Sequence, residues 1–272
     1  MFNWKRFVTA LIIHGKFPVA LVSLVLCLAS NVALAESASQ RGEDRARIEP
    51  RGFLYGGAIG VRREIYKDYD RRVIPLPVLG YRGEKLRVFG PFVSYEILNS
   101  GDFKFSAQAR PRFGGFDESD SDIFEGMEER EFTMEIGLGL NYERDNWKFE
   151  LSGLYDALDR SNGTEYSASL GKVVRVGSVF VEPRIDLSYL DSRHVDYYYG
   201  VNESEATNFR PEYEGDNAFN SSLGVSMTTM KFFDGLTRFS VDNTWFDSSI
   251  TDSPLTDSDS SLSLRISFAK FF

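Results

Sequence analysis

Segments of nine to twelve residues in which apolar and polar side chains alternate recur along most of this chain, and that period narrows its folding choices more than any other feature. Successive side chains of a strand point to opposite faces, so period two marks a sheet with one greasy and one wet face. Phe53, Tyr55, Gly57, Ile59 and Val61 share one parity. Phe103, Phe105, Ala107 and Ala109 alternate with Lys104, Ser106, Gln108 and Arg110. The pattern returns at Phe132, Met134, Ile136, Leu138, Leu140 and Tyr142, and again at Trp147, Phe149, Leu151, Gly153 and Tyr155, with Glu143-Arg144-Asp145-Asn146 between them as a tight hairpin. Further strands are centred near Val78, Val88, Leu170, Ile185, Leu223 and Val241, and the last runs from Ser261 to Phe272. That makes eleven, and the aromatic stretch Tyr197 to Val201 supplies a twelfth. Single-chain bacterial barrels carry an even number of strands, so twelve is the expectation and ten the alternative.

The fold class this predicts is an all-β, transmembrane antiparallel β-barrel. In the final strand Leu262, Leu264, Ile266, Phe268 and Phe272 fall on one parity, interrupted by Lys270. A soluble sandwich ending in such a strand would need a second sheet to cover that face. A strand of this kind, ending on an aromatic residue, resembles the signal read by the barrel assembly machinery. Beyond the first segment no stretch approaches 18 consecutive apolar residues, which excludes helical spans there and leaves barrels open.

That first segment reads as an export signal. Lys5, Arg6 and Lys16 supply positive charge, Val19 to Ala29 form an apolar run, and Ala33-Leu34-Ala35 offers a cleavage site. The expected organisation is a cleaved signal peptide over 1–35, a polar periplasmic arm over 36–51 and a barrel over 52–272. Cys27 lies in the apolar run, so the mature chain would have no thiol and no disulfide. Removing 1–35 takes away three basic residues and no acidic one, leaving 28 against 40 and a net charge of −12, which disfavours nucleic acid as a partner.

Catalytic groups are sparse. His194 is the sole histidine after residue 35, with Asp191 and Asp196 nearby to form an Asp-His pair, but no distinctive serine motif accompanies it. The preferred reading is a loop histidine, and no enzyme activity, cofactor or metal is expected. Acidic stretches at Asp117 to Asp122 and Thr251 to Asp259 do not match a calcium loop and read as solvated loops. Gly56-Gly57 and Gly137-Leu138-Gly139 lie within strands and read as close-packing sites. Pro75 and Pro77, two apart in a β segment, lack amide donors and point to a strand end, a bulge or an edge-like position.

Four stretches resemble the MipA/OmpV family of outer-membrane proteins: Pro75-Leu76-Pro77, Phe89-Gly90-Pro91-Phe92-Val93-Ser94-Tyr95, Tyr198-Tyr199-Gly200-Val201 followed by Glu203-Ser204-Glu205-Ala206, and Asp252-Ser253-Pro254-Leu255. They occur in order over most of the chain, while Asp117 to Glu129 and Asn208 to Tyr213 depart from the family pattern. The resemblance implies a non-enzymatic protein of the cell outer membrane, a scaffold that joins a lytic murein transglycosylase to a bifunctional peptidoglycan synthase. With twelve strands counted as above and both termini periplasmic, the connections 82–85, 114–131, 157–163, 190–195 and 230–235 would face the periplasm. Asp117, Glu118, Asp120, Asp122, Glu125, Glu128 and Glu129 would then steer a basic enzyme surface. A small-solute or ion channel, with Lys104, Gln108 and Arg110 lining its lumen, is the second reading, and a surface adhesin the third.

Overall fold

The computed structural model describes residues 51–272, so the segment expected to be a signal peptide and all but the last residue of the expected arm lie outside the described residues. The strands are β1 (Gly52–Arg63), β2 (Arg71–Arg82), β3 (Leu86–Phe89), β4 (Phe92–Ser100), β5 (Phe103–Arg112), β6 (Thr133–Arg144) and β7 (Trp147–Asp156). They continue with β8 (Thr164–Lys172), β9 (Val174–Val176), β10 (Val179–Leu190), β11 (Ala218–Phe232), β12 (Gly235–Trp245) and β13 (Ser260–Phe271). Two helices, α1 (Ser192–Tyr199) and α2 (Ser248–Thr251), lie in loops. All ladders are antiparallel, β13 pairs with β1, and β10 pairs with β11, so the sheet closes on itself. Because β8 and β9 flank Val173 and both pair with β10, thirteen segments make twelve barrel strands.

The total of twelve agrees with the sequence expectation, but two of its members do not. Tyr197 to Tyr199 belong to α1, whose N-terminus Asp191 caps by accepting from the His194 N–H at 3.0 Å. The strand that takes their place in the count is β4, which Gly90-Pro91 separates from β3. Gly90 sits at φ +57°, the left-handed conformation that lets the chain reverse within what reads as one strand-like stretch.

This exchange reverses the direction of every strand between β4 and α1. The connections 83–85, 101–102, 145–146, 177–178 and 233–234 lie at the end that holds Gly52 and Phe271. The long connections 64–70, 113–132, 157–163, 191–217 and 246–259 lie at the other end. Of the turns expected on the terminal side, 82–85 and 230–235 are there; 114–131, 157–163 and 190–195 are not.

Strand parity survives intact. Phe53, Leu138, Leu151 and Leu264 face out and are exposed, forming the apolar belt a bilayer requires. Phe272 closes the belt near the termini, with its ring 6.1 Å from Phe53 and 5.8 Å from Tyr55 and its N–H donating to the Phe53 carbonyl at 3.0 Å. No helix among the described residues is long and apolar enough to cross a membrane. The glycines act as close-packing sites: a Cβ on Gly56 would stand 1.9 Å from the Phe268 carbonyl oxygen, and one on Gly137 2.0 Å from that of Gly153.

Candidate functional site

Two features could carry function: the lumen, and the cap that the long loops build over one end of it. On the inner wall, Arg110 of β5 bonds Glu135 of β6 at 2.9 Å and Glu165 of β8 at 3.0 Å. Arg112, two residues on and so on the same face, pairs with the same two carboxylates. A second network joins Lys148 to Glu182 at 2.9 Å and draws Arg184 and Arg265 onto the buried Asp242. Shared carboxylates keep guanidinium groups paired where full hydration is lost. The remaining cavity is about 800 Å³, and Lys148, Glu150, Arg184 and Arg238 are among the side chains that line it. Arg110 and Gln108 do face inward, as a lumen role requires; Gln108 donates to Ser106 at 3.2 Å.

The cap has a core of its own. Tyr66, Phe116, Phe124, Met127, Val201 and Leu255 come from four different loops and are all buried. Polar ties run between the same loops: the Tyr66 hydroxyl donates to the Tyr198 carbonyl at 3.0 Å, and Ser253 donates to that of Tyr199 at 2.6 Å. Arg130 forms a buried pair with Glu205, its Nη2 donating to both carboxylate oxygens at 2.8 and 3.0 Å, while its Nε donates to the Tyr197 carbonyl at 2.8 Å. Sequence reading missed this core because its members lie outside any regular period. The one available signal was the spacing of Phe116, Ile123, Phe124 and Met127 within an otherwise acidic loop.

All seven acidic residues singled out in that loop, Asp117, Glu118, Asp120, Asp122, Glu125, Glu128 and Glu129, are exposed. They share the outer surface of the cap, at the end opposite the termini. Asp117 accepts from the backbone N–H of Ser119 at 2.9 Å and from its hydroxyl at 2.7 Å, and these bonds hold its carboxyl below the ordinary range.

His194 lies under the cap, 3% exposed, with its ring 5.1 Å from that of Tyr198. The flanking carboxylates are occupied with backbone: Asp191 caps α1, and Asp196 accepts from the Gly215 N–H at 2.9 Å. The structure thus does not assemble the Asp-His pair, the less favoured reading of the sequence, and it places His194 buried in α1 rather than in an open loop. Burial pushes the imidazole well below its ordinary value, with the nearby Arg112 charge acting the same way. The folded cap therefore holds His194 neutral, whereas the unfolded segment takes up a proton near pH 6.5. Stability from this group is full above that pH and is lost as pH falls below it. Protease cleavage of the loops, followed from pH 7.5 to 5, should rise with acid and lose part of that slope in His194→Gln. An unchanged slope would place the acid sensitivity in other groups.

Comparison with known proteins gives a consistent pattern. A family model described as MltA-interacting protein MipA matches residues 55–272. The MltA-interacting protein of Escherichia coli K12 is 26% identical over 208 residues, covering 75% of this chain and 84% of that protein. Outer membrane protein Omp26La of Vibrio anguillarum is 27% identical over 173 residues, covering 63% of this chain and 67% of its own. Among solved structures, the NanC porin overlaps 80% of this chain and 99% of its own at 9% identity, with a TM-score of 0.45.

Proposed function

The chain belongs to the MltA-interacting protein MipA family and is an outer-membrane barrel, and from that premise we propose that it serves as a scaffold for enzymes that remodel peptidoglycan. The relative whose name records an interaction with MltA covers three quarters of the chain, and this likeness is the observation that carries the reading. On this reading the partners are a lytic murein transglycosylase and a bifunctional peptidoglycan synthase. The barrel contributes no chemistry to them. It anchors both to one surface and so raises the concentration of each near the other. Outer-membrane lipid surrounds the apolar belt, and the strand ending in Phe272 is the segment presented to the barrel assembly machinery.

Outer-membrane barrels place short turns in the periplasm and long loops outside. A periplasmic enzyme would therefore meet the short-turn end and the arm before Gly52, and the acidic cap surface would face the exterior. This moves the docking surface away from the seven acidic residues.

Crosslinked capture of the tagged protein from detergent-solubilised envelopes, with an unrelated barrel as control and mass spectrometry as readout, tests both points. Enrichment of a transglycosylase or a peptidoglycan synthase is the expected result, and its absence at good recovery counts against the scaffold. Converting the seven acidic residues to Asn and Gln should leave the captured amount unchanged. A large loss would return the docking surface to the acidic loop and reverse the orientation.

A further inference from the structure

The barrel wall has a lateral interruption. Along its whole length β2 pairs with β1, but on its other side it pairs with β3 only at Gly80, Tyr81 and Arg82. The β3–β4 hairpin turns at Gly90-Pro91, and β4 in turn reaches β5 only as far as Ala109. Above that turn, toward the loop end, no ladder among the described residues joins β2 to β5. Arg72 spans the top of the opening, donating to the Gly114 carbonyl at 3.3 Å and to that of Gly115. From Val73 to Val78 the free edge is roughly 17 Å long at about 3.3 Å per residue.

The edge is chemically suited to remain unpaired. Gly90 N–H donates to the Leu79 carbonyl at 3.1 Å, so the backbone groups of Leu79 point away from β1. Alternate residues share that direction, which puts Val73, Pro75 and Pro77 on the same open side. Two of these four positions are proline and have no N–H to offer a fourth strand. Of the three positions the sequence left open for Pro75 and Pro77, a strand end, a bulge or an edge, they occupy the edge.

Behind the opening the lumen departs from the polar interior usual for such barrels. Ile74, Leu76, Phe89 and Phe92 line the cavity there, and Val78 with Leu54 and Ala269 forms an apolar floor toward the turn end. On the outer surface Ile59, Val73, Leu79 and Val93 are exposed, so the opening lies at a height where the wall faces lipid. The cavity is also lined by Arg62 of β1 and by Arg110 and Arg112 of β5. Counting Arg72, four guanidinium groups share three carboxylates, Glu64, Glu135 and Glu165. Within this group of paired side chains the guanidinium groups outnumber the carboxylates by one, and Lys148, Arg184, Arg238 and Arg265 also line the cavity with Glu150 and Glu182.

We infer that the opening between β2 and β5 is a lateral binding site for a single-chain anionic amphiphile drawn from the surrounding bilayer. Its hydrocarbon tail lies against Ile74, Leu76, Phe89 and Phe92, and its carboxylate or phosphate head meets Arg62, Arg110 and Arg112. The acyl chain enters sideways without crossing the loop cap, and no aqueous path is required.

The test uses the full mature barrel in phosphatidylcholine vesicles and a photoactivatable hexadecanoic acid carrying a mid-chain diazirine. Adducts are expected on Leu76, Phe89 or Phe92, competed by unlabelled hexadecanoate and only weakly by its methyl ester. Leu76→Asn should reduce these adducts about tenfold, the loss expected when one apolar side chain leaves a tail-binding surface, with heat-modifiable gel mobility confirming the fold. Adducts confined to outward residues such as Leu138 and Leu264 would overturn the proposal, as would inner adducts that hexadecanoate does not displace. Equal competition by acid and ester would overturn the anionic head. The competition series on the unmodified protein decides the matter if the variant does not fold.

Discussion

Glu205→Ala is expected to loosen the loop cap while leaving the barrel folded, at a cost of about 3–5 kcal/mol for breaking a buried ion pair from one side. Glu205 is 3% exposed. Both of its oxygens accept from Nη2 of Arg130, and they also accept from the backbone N–H groups of Glu128 at 2.9 Å and Asn202 at 3.0 Å. Burial raises the cost of its charge, but these donors outweigh burial and hold the carboxyl below its ordinary value. A folded value below the unfolded one contributes stability above about pH 4.3, the unfolded carboxyl range, and that contribution fades as pH falls beneath it. In the alanine variant Arg130 keeps its bonds to the Tyr197 and Glu128 carbonyls but has no anion. Limited proteolysis of the 113–132 and 191–217 loops should accelerate strongly, and Glu205→Gln should fall between the variant and the parent. Unchanged proteolysis would mean that the apolar core alone holds the cap.

Phe124→Ala should have an effect of similar size by a different route. The Phe124 ring is fully buried, stacked on Phe116 with centroids 3.9 Å apart and planes 4° apart, and met edge-on by Tyr66 at 5.3 Å. Removing a large buried ring loses its transfer free energy and leaves a cavity, about 3–5 kcal/mol together. Because Phe124 sits in a loop core rather than between strands, the loss should appear as an early thermal transition of the cap, with the barrel transition unmoved. A single transition at a lower temperature would show instead that cap and barrel unfold as one unit. Glu205 and Phe124 secure the same loops, so the double variant should cost less than the sum of the two.

The difference in what was legible follows from range. Period two is local: Phe149 and Leu151 face out because neighbouring residues must face in, whatever strand lies beside them. The Gly90-Pro91 reversal is also local, but it lies inside the strand-like, aromatic-rich stretch from Leu86 to Leu98, where one long strand and two short ones have nearly the same composition. Tyr197 to Tyr199 erred in the opposite sense. Aromatic residues favour strands in general, and here the Asp191 cap and the buried faces of Val195 and Tyr198 override that preference. The two misreadings cancel in the strand count and do not cancel in direction, which is why the acidic loop stands at the opposite end from the one its count assigned.

The sequence alone determined that this chain builds an antiparallel sheet with an apolar exterior and that Pro75 and Pro77 withhold two amide donors from their segment, because side-chain alternation and missing donors act within a few residues. Only the tertiary structure decided which carboxylates Arg110 and Arg112 share, that four loops bury a common core over the lumen, and that β2 has no second ladder along Pro75 and Pro77. Those outcomes depend on strand order and register, which bring together groups far apart in the chain, such as Tyr66 and Leu255 in the cap core and Leu54 and Phe271 in the β1–β13 ladder, and no local pattern encodes such distances.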